Sequence, residues 1–483
     1  MKNMILVGLL LLFAVRHTLA QLPDFHQSFD APSEQRKEAA QKRLEQLYEK
    51  KIEKLEAQHR GFYKDIYRDT RDMHLGYVEN DRVIFDPLAA DWIKAIFKEI
   101  VDANPQLDNR NAYLNLTTDD NTNAFATPLG VINLNIGLLA KCQNRSEVAF
   151  ILCHELSHLE LMHNDKSIDR VYEALYSEKA KREMKEIVRM STGATEAAIK
   201  YMERVQITLS SRSVTDETQA DSLAIVLMRN TKFDARASIS TLMMLDSADI
   251  KMQELHIDLK KFFSFADYPF KQKWVEKPSG NLFGGASFVT VDSVKLDSFK
   301  THPDCVLRAS LAEKWLNDYT SPSGAAATPD DVAYLQNVAF EHLDILERNG
   351  NLDITLLNII NLIQDNPDNK YLWLRFFQCM NALARVQTEH TFSKNVAISC
   401  TNRGLEYEQY ICFLNRLTIK EMANINYRYF LAFAQKNEPT EDTLVEWIAI
   451  LKYMGNTEEM TTQKELFLSK YPRSRHIARV NKF

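Results

Sequence analysis

Residues 151–158 read Ile-Leu-Cys-His-Glu-Leu-Ser-His, and no other stretch of the 483-residue chain limits the fold so strongly. On a helix, side chains four apart share one face. His154 and His158 can therefore aim ring nitrogens at a single Zn²⁺. Glu155, next to the first of them, reaches the attacking water rather than the metal. The neighbours are apolar, which predicts a buried helix. An idle pair of imidazoles would be costly to desolvate there. Asn144 or Ser146 is expected to cap this helix, which should run to about Asn164.

A His-Glu-x-x-His match alone arises by chance in on the order of a few per cent of chains this long. A third ligand is needed, together with an open coordination position. Glu217 and Asp221 lie four apart, with Thr215 as the expected N-cap of their helix. Ala220, Leu223, Ala224, Val226 and Leu227 surround them and predict burial. Glu217 is the right chemical type for a third ligand. Asp221 can accept the outer N–H of a ligand histidine and fix its tautomer. The reading is one Zn²⁺ per chain on His154, His158 and Glu217, with Glu155 as general base.

Around these motifs the chain divides into segments. Residues 21–75 are rich in charged helix formers. Leu44, Leu47, Tyr48, Ile52 and Leu55 recur at steps of three and four, and predict a long amphipathic helix capped by Ser33 and packed on the body of the protein. Residues 76–319 are mixed: a helix over 91–102, strands over 112–117, 123–127 and 131–135 with a turn at Pro128-Leu129-Gly130, then mostly helices, with a short hairpin over 283–294. Residues 320–329 hold Ser, Pro, Gly and Ala and read as a linker. Residues 330–483 form a string of amphipathic helices, over 330–348, 353–365, 370–386, 404–416, 418–435, 440–453 and 457–470. Their junctions are similar to those of tetratricopeptide repeats.

Several separated segments together resemble one family. They are Asn123-Ala124-Phe125-Ala126-Thr127-Pro128-Leu129-Gly130-Val131-Ile132, Gly137-Leu138-Leu139, the zinc motif with His163, Glu217-Thr218-Gln219-Ala220-Asp221, and Thr301-His302-Pro303 with Arg308. In that order, over about 80–315, they resemble metallopeptidase family forty-eight, whose members include HtpX and the CAAX prenyl endopeptidase. The resemblance implies a zincin-like core that cleaves protein or peptide substrates. It carries over the ligands, base and outer carboxylate named above. It also implies that the strand at Asn123 and Ala124 borders the cleft and pairs with an extended substrate. Ser157 stands where glycine is usual. His302 has three open roles: occupying the free zinc position, stabilising the oxyanion, or simply starting a helix. The fold expected is α-rich α+β, a zincin-like core with a small sheet followed by an α-helical hairpin array. The competing reading is a chaperone or binding scaffold in which the array is the main function and proteolysis is accessory.

The first 20 residues supply Lys2, an apolar run over 4–15 and Thr18-Leu19-Ala20, the pattern of a cleaved signal peptide. Without them the chain holds 57 basic and 65 acidic residues, a net −8. That balance argues against nucleic acid and anionic membrane as partners. No later run is long enough to cross a bilayer. The expectation is an exported protein, in a bacterial periplasm, with a protein partner on the helical array. The six cysteines read as scattered buried thiols, with one bridge among Cys379, Cys400 and Cys412 left open.

Overall fold

The computed structural model describes residues 29, 33–55, 60–250, 258–275, 305–322, 327–398 and 405–483. The expected signal peptide over 1–20, the expected hairpin over 283–294, His302 and Cys400 lie outside them. Of the five cysteines among the described residues, four are buried.

The charged N-terminal region folds as two helices, where one long helix was expected: α1 (Glu34–Glu53) and α2 (Arg60–Glu79). Ser33 caps α1 by accepting from the Arg36 N–H. The apolar stripe is real, since Leu44 and Leu47 are buried, but it is shared between two packed helices. The pair closes over the sheet and the helix beyond the zinc motif through Tyr67, Val78, Leu129, Val131 and Ile168.

The middle of the chain continues with α3 (Pro87–Ala103), capped by Asp86. Strands β1 (Tyr113–Thr117), β2 (Ala124–Ala126) and β3 (Val131–Asn135) form one sheet in the order β1-β3-β2, so β2 is an edge. The β1–β3 pair is parallel and the β2–β3 pair antiparallel. Gly130, at φ 81°, makes the turn between β2 and β3. A short helix α4 (Ile136–Leu139) follows. Gly137 sits there because any Cβ would collide with the Asp120 carbonyl of the β1–β2 loop. Helices α5 (Arg145–Glu160), α6 (His163–Tyr176), α7 (Glu178–Arg189), α8 (Ala194–Arg229), α9 (Ala237–Ile250), α10 (Leu259–Phe262) and α11 (Cys305–Trp315) complete this part.

Beyond residue 328 come α12 (Pro329–Arg348), α13 (Leu352–Asp365), α14 (Lys370–Thr388), α15 (Leu405–Arg416), α16 (Ile419–Lys436), α17 (Glu441–Met454), α18 (Thr457–Lys470) and α19 (Ile477–Asn481). Seven of these match the seven expected spans to within two residues. The molecule is thus α-rich with one small sheet and a helical array after it.

Packing crosses the expected linker in both directions. Leu335, Val338 and Ile345 of α12 belong to the core built around α5 and the sheet. Leu259, Phe263 and Trp274, which precede that linker, are buried with the array. Thr328 and Asp331 form a capping box at the start of α12. Asp331 also accepts from the Trp92 indole at 2.9 Å and the Arg145 guanidinium at 2.8 Å.

Candidate metal centre

Helix α5 is buried on nearly every side, from Ser146 to Ser157 without interruption. Asn144 caps it by accepting from the Glu147 N–H at 3.0 Å. Glu147 accepts in turn from the Gln143 N–H at 2.7 Å. The Ser157 hydroxyl donates to the Cys153 carbonyl, which spends it inside the helix. The helix stops earlier than expected, because Met162 adopts φ 55°. His163 and Asn164 therefore open α6 at a new angle. Glu217 and Asp221 lie on α8, which runs unbroken for 36 residues. Thr215 is internal to it and not an N-cap.

These two helices bring the donor atoms of three side chains together. His154 Nε2 and His158 Nε2 are 3.1 Å apart. Glu217 Oε2 lies 3.5 Å from the first, and Oε1 lies 3.3 Å from the second. The three side chains form a group able to hold a metal ion. Behind them Asp221 Oδ1 sits 2.9 Å from His154 Nδ1. Arg308 of α11, only 2% exposed, donates to both Asp221 oxygens at 2.6 and 2.8 Å. Its Nη1 also lies 2.9 Å from Glu217 Oε2, yet neither atom has a hydrogen-bond partner, so the contact is ionic and poorly aligned.

The electrostatics ask for a cation at this point. Burial disfavours charge on His154, but Asp221 and Glu217 outweigh it and push its pKa up to about 10 in the metal-free chain. Burial likewise opposes ionisation of Glu217 and Asp221, but the histidines and Arg308 hold Glu217, and Arg308 and His154 hold Asp221, below the ordinary carboxylate value. One guanidinium thus faces two carboxylates. A proton on His154, or a metal ion in its place, balances the site.

Glu155 is buried on the same helix, and its Oε2 accepts the Ala126 N–H of β2 at 2.7 Å. The Asn164 amide donates to the Ala126 carbonyl at 3.1 Å. Thr127 N–H bonds Val131 and Asn123 carbonyl bonds Asn135 on the β3 side. By the alternation of an antiparallel ladder, Ala124 and Ala126 turn their main-chain groups to the free edge. Of the expected substrate residues, Ala124 opens the edge strand β2 and Asn123 precedes it, while the far end of β2 touches Glu155.

Residues 87–316 match the family model described as Peptidase family M48. This part of the chain is an M48 metallopeptidase domain. No curated protein matches the chain.

Within the M48 domain, the structure adds residues to which the sequence reading gave no role in the site. With His158 Nε2 facing the metal position, its Nδ1 carries the proton and donates to His163 Nδ1 at 3.1 Å. His163 Nε2 then donates to Gln219 Oε1 at 3.2 Å. Burial, with His158 beside it, holds His163 below the ordinary imidazole pKa, as a neutral acceptor requires. Asn164 and Arg308 are the others. Arg308 entered the sequence reading only as part of the segment that follows His302.

Proposed function

We propose that the chain is a zinc-dependent metalloendopeptidase, with one Zn²⁺ held by His154, His158 and Glu217 and with Glu155 as general base. The observation that carries this reading is the donor cluster, with His154 Nε2 3.1 Å from His158 Nε2, and with one Glu217 oxygen 3.5 Å from His154 and the other 3.3 Å from His158. Two donors about 2.0–2.1 Å from a tetrahedral zinc stand about 3.3–3.4 Å apart. Glu217 Oε2 accepts no hydrogen bond and meets Arg308 only through the poorly aligned ionic contact, which leaves it a lone pair for the ion.

Zinc at this position supplies Lewis acidity for the scissile carbonyl and the attacking water. Glu155 keeps Oε2 anchored on the Ala126 N–H. Its other oxygen has no partner among the described residues, which leaves it to take the water proton and return it to the leaving amine. The Asp221 carboxylate 2.9 Å from His154 Nδ1 favours a proton on that nitrogen, and His163 accepts from His158 Nδ1, so each ring keeps its Nε2 lone pair for the ion. The Ala124 main chain is available to pair with an extended substrate, which favours affinity over strict sequence choice.

The sequence of residues 1–20 supports export, and the same reading places the enzyme in a bacterial periplasm, in protein quality control. No described helix is long and apolar enough to cross a membrane. The array, read as tetratricopeptide-like, would offer a face to a protein partner. Glu155→Gln is the test: the protein should keep its zinc and fold but lose about 10²–10⁴-fold in casein cleavage. Cleavage at the parental rate would overturn the mechanism.

A further inference from the structure

A cavity of about 740 Å³ lies between the β1–β2 loop and the first two helices of the array. It falls in the size range of ligand sites. Asn123 and Phe125 of the edge strand line it on one side, and His342, Asn358, Asn361 and Asp365 on the other. The metallopeptidase domain and the array therefore each supply half of the wall.

Two buried acceptors in its wall are unspent, and among the described residues the wall carries Asp119, Asp120 and Asp365 against one cation, Lys141. His342 is nine-tenths buried, and its Nε2 has no hydrogen-bond partner. The ring donates to the Asp120 backbone carbonyl, and burial pushes its pKa down to about 4, so Nε2 carries a lone pair at neutral pH. The Asn361 Oδ1 atom is also buried and unpartnered. The Asp120 carboxylate accepts from the Asn349 and Asn351 amides. Asp365 stands exposed at the wall. Phe125, Leu343, Leu346 and Ile354 give apolar surface between these groups. Apolar walls leading to acceptors suit a long side chain that ends in several N–H donors.

We propose that this cavity is a side-chain subsite of the peptidase and takes an arginine or lysine of the substrate. The inference rests on the peptidase reading above. Strand residues advance about 3.4 Å each, so Asn123 lies roughly 10 Å from the Ala126–Glu155 contact. The recognised residue is then within about three positions of the scissile bond. A substrate strand antiparallel to β2 runs from the Ala126 end toward Asn123, which puts that residue after the cut.

The full-length zinc-loaded protein should be given matched peptides with Arg, Gln or Glu at each of the three positions after the cleaved bond. At one position kcat/KM should be about tenfold higher for Arg than for Gln, and lower still for Glu. Asp365→Lys should collapse the Arg-to-Gln ratio. In the Glu155→Gln protein, a fluorescent Arg peptide should bind more tightly than its Glu counterpart, without turnover. If casein is cleaved but the three peptides are cut and bound alike, the subsite is wrong and the peptidase stands. If neither casein nor any peptide is cut, the peptidase reading falls and takes the subsite with it.

Discussion

The metal centre and the helical array are both built from buried helices, and they are held by opposite means. In the array, Leu356, Phe376, Phe377, Tyr410 and Phe413 interdigitate in one apolar cluster. The Nδ2 group of its buried Asn381 donates to nearby main chain and that of Asn426 to the Asn381 amide oxygen, while Asn426 Oδ1 accepts nothing among the described residues. At the metal centre, α5 and α8 meet across charge: His154, Glu217, Asp221 and Arg308 are all at least 85% buried. An apolar cluster of this kind tolerates exchange among residues of similar volume. A buried charge frame does not, because each member balances the others.

Arg308→Ala should show this most strongly. It leaves two carboxylates facing each other with no fixed cation and should cost about 3–5 kcal/mol in urea unfolding, with zinc lost as well. A variant that keeps parental stability would show that Arg308 is not the counter-charge. In the array, Leu356→Ala should cost about 2–5 kcal/mol through the cavity it leaves. Zinc content and turnover per folded molecule should stay at the parental level there, and loss of metal from the folded variant would erase the contrast between the regions.

Much of this contrast was legible in the sequence, for a physical reason. The array helices bury one stripe each, so their periodicity shows where they start and stop. The same holds for α3 and for Leu44 and Leu47 of α1. Helix α5 was legible through its ligand spacing. Other features depend on tertiary contacts that spacing does not encode. The break between α1 and α2 has no proline, and the left-handed turn at Met162 has no glycine to announce it. Thr215 resembles a cap yet lies inside α8. Arg308 is 87 residues from Asp221, and His163 meets Gln219 only because α6 folds back on α8. The leading signal for His163 was its place five residues past His158, among the segments that resemble the family.

Acid should sharpen the comparison. His74 on α2 is buried beside Thr127, and burial pushes its pKa down to about 4. As pH falls, the unfolded chain takes up this proton first. Its contribution is intact above about pH 6.5 and is lost between there and pH 4, to a total of about 3 kcal/mol. Urea unfolding of the parent and His74→Gln at pH 7.5 and 4.5 should show a smaller acid loss in the variant. Equal losses would place the acid sensitivity elsewhere.

His163→Ala should have the smallest effect. It removes the acceptor that orients His158 and should weaken zinc binding by about 10–100-fold, with little change in fold. Competition against a chelator reads this directly. Unchanged affinity would mean that His158 needs no such support.

The most direct measurement is the zinc content of Glu217→Ala after exhaustive dialysis, set beside the parent and Glu155→Gln. Parent and Glu155→Gln should each retain about one zinc per chain, and Glu217→Ala should retain far less while its circular dichroism stays that of a folded protein. Full zinc occupancy in folded Glu217→Ala would move the third ligand elsewhere and contradict the account of the site.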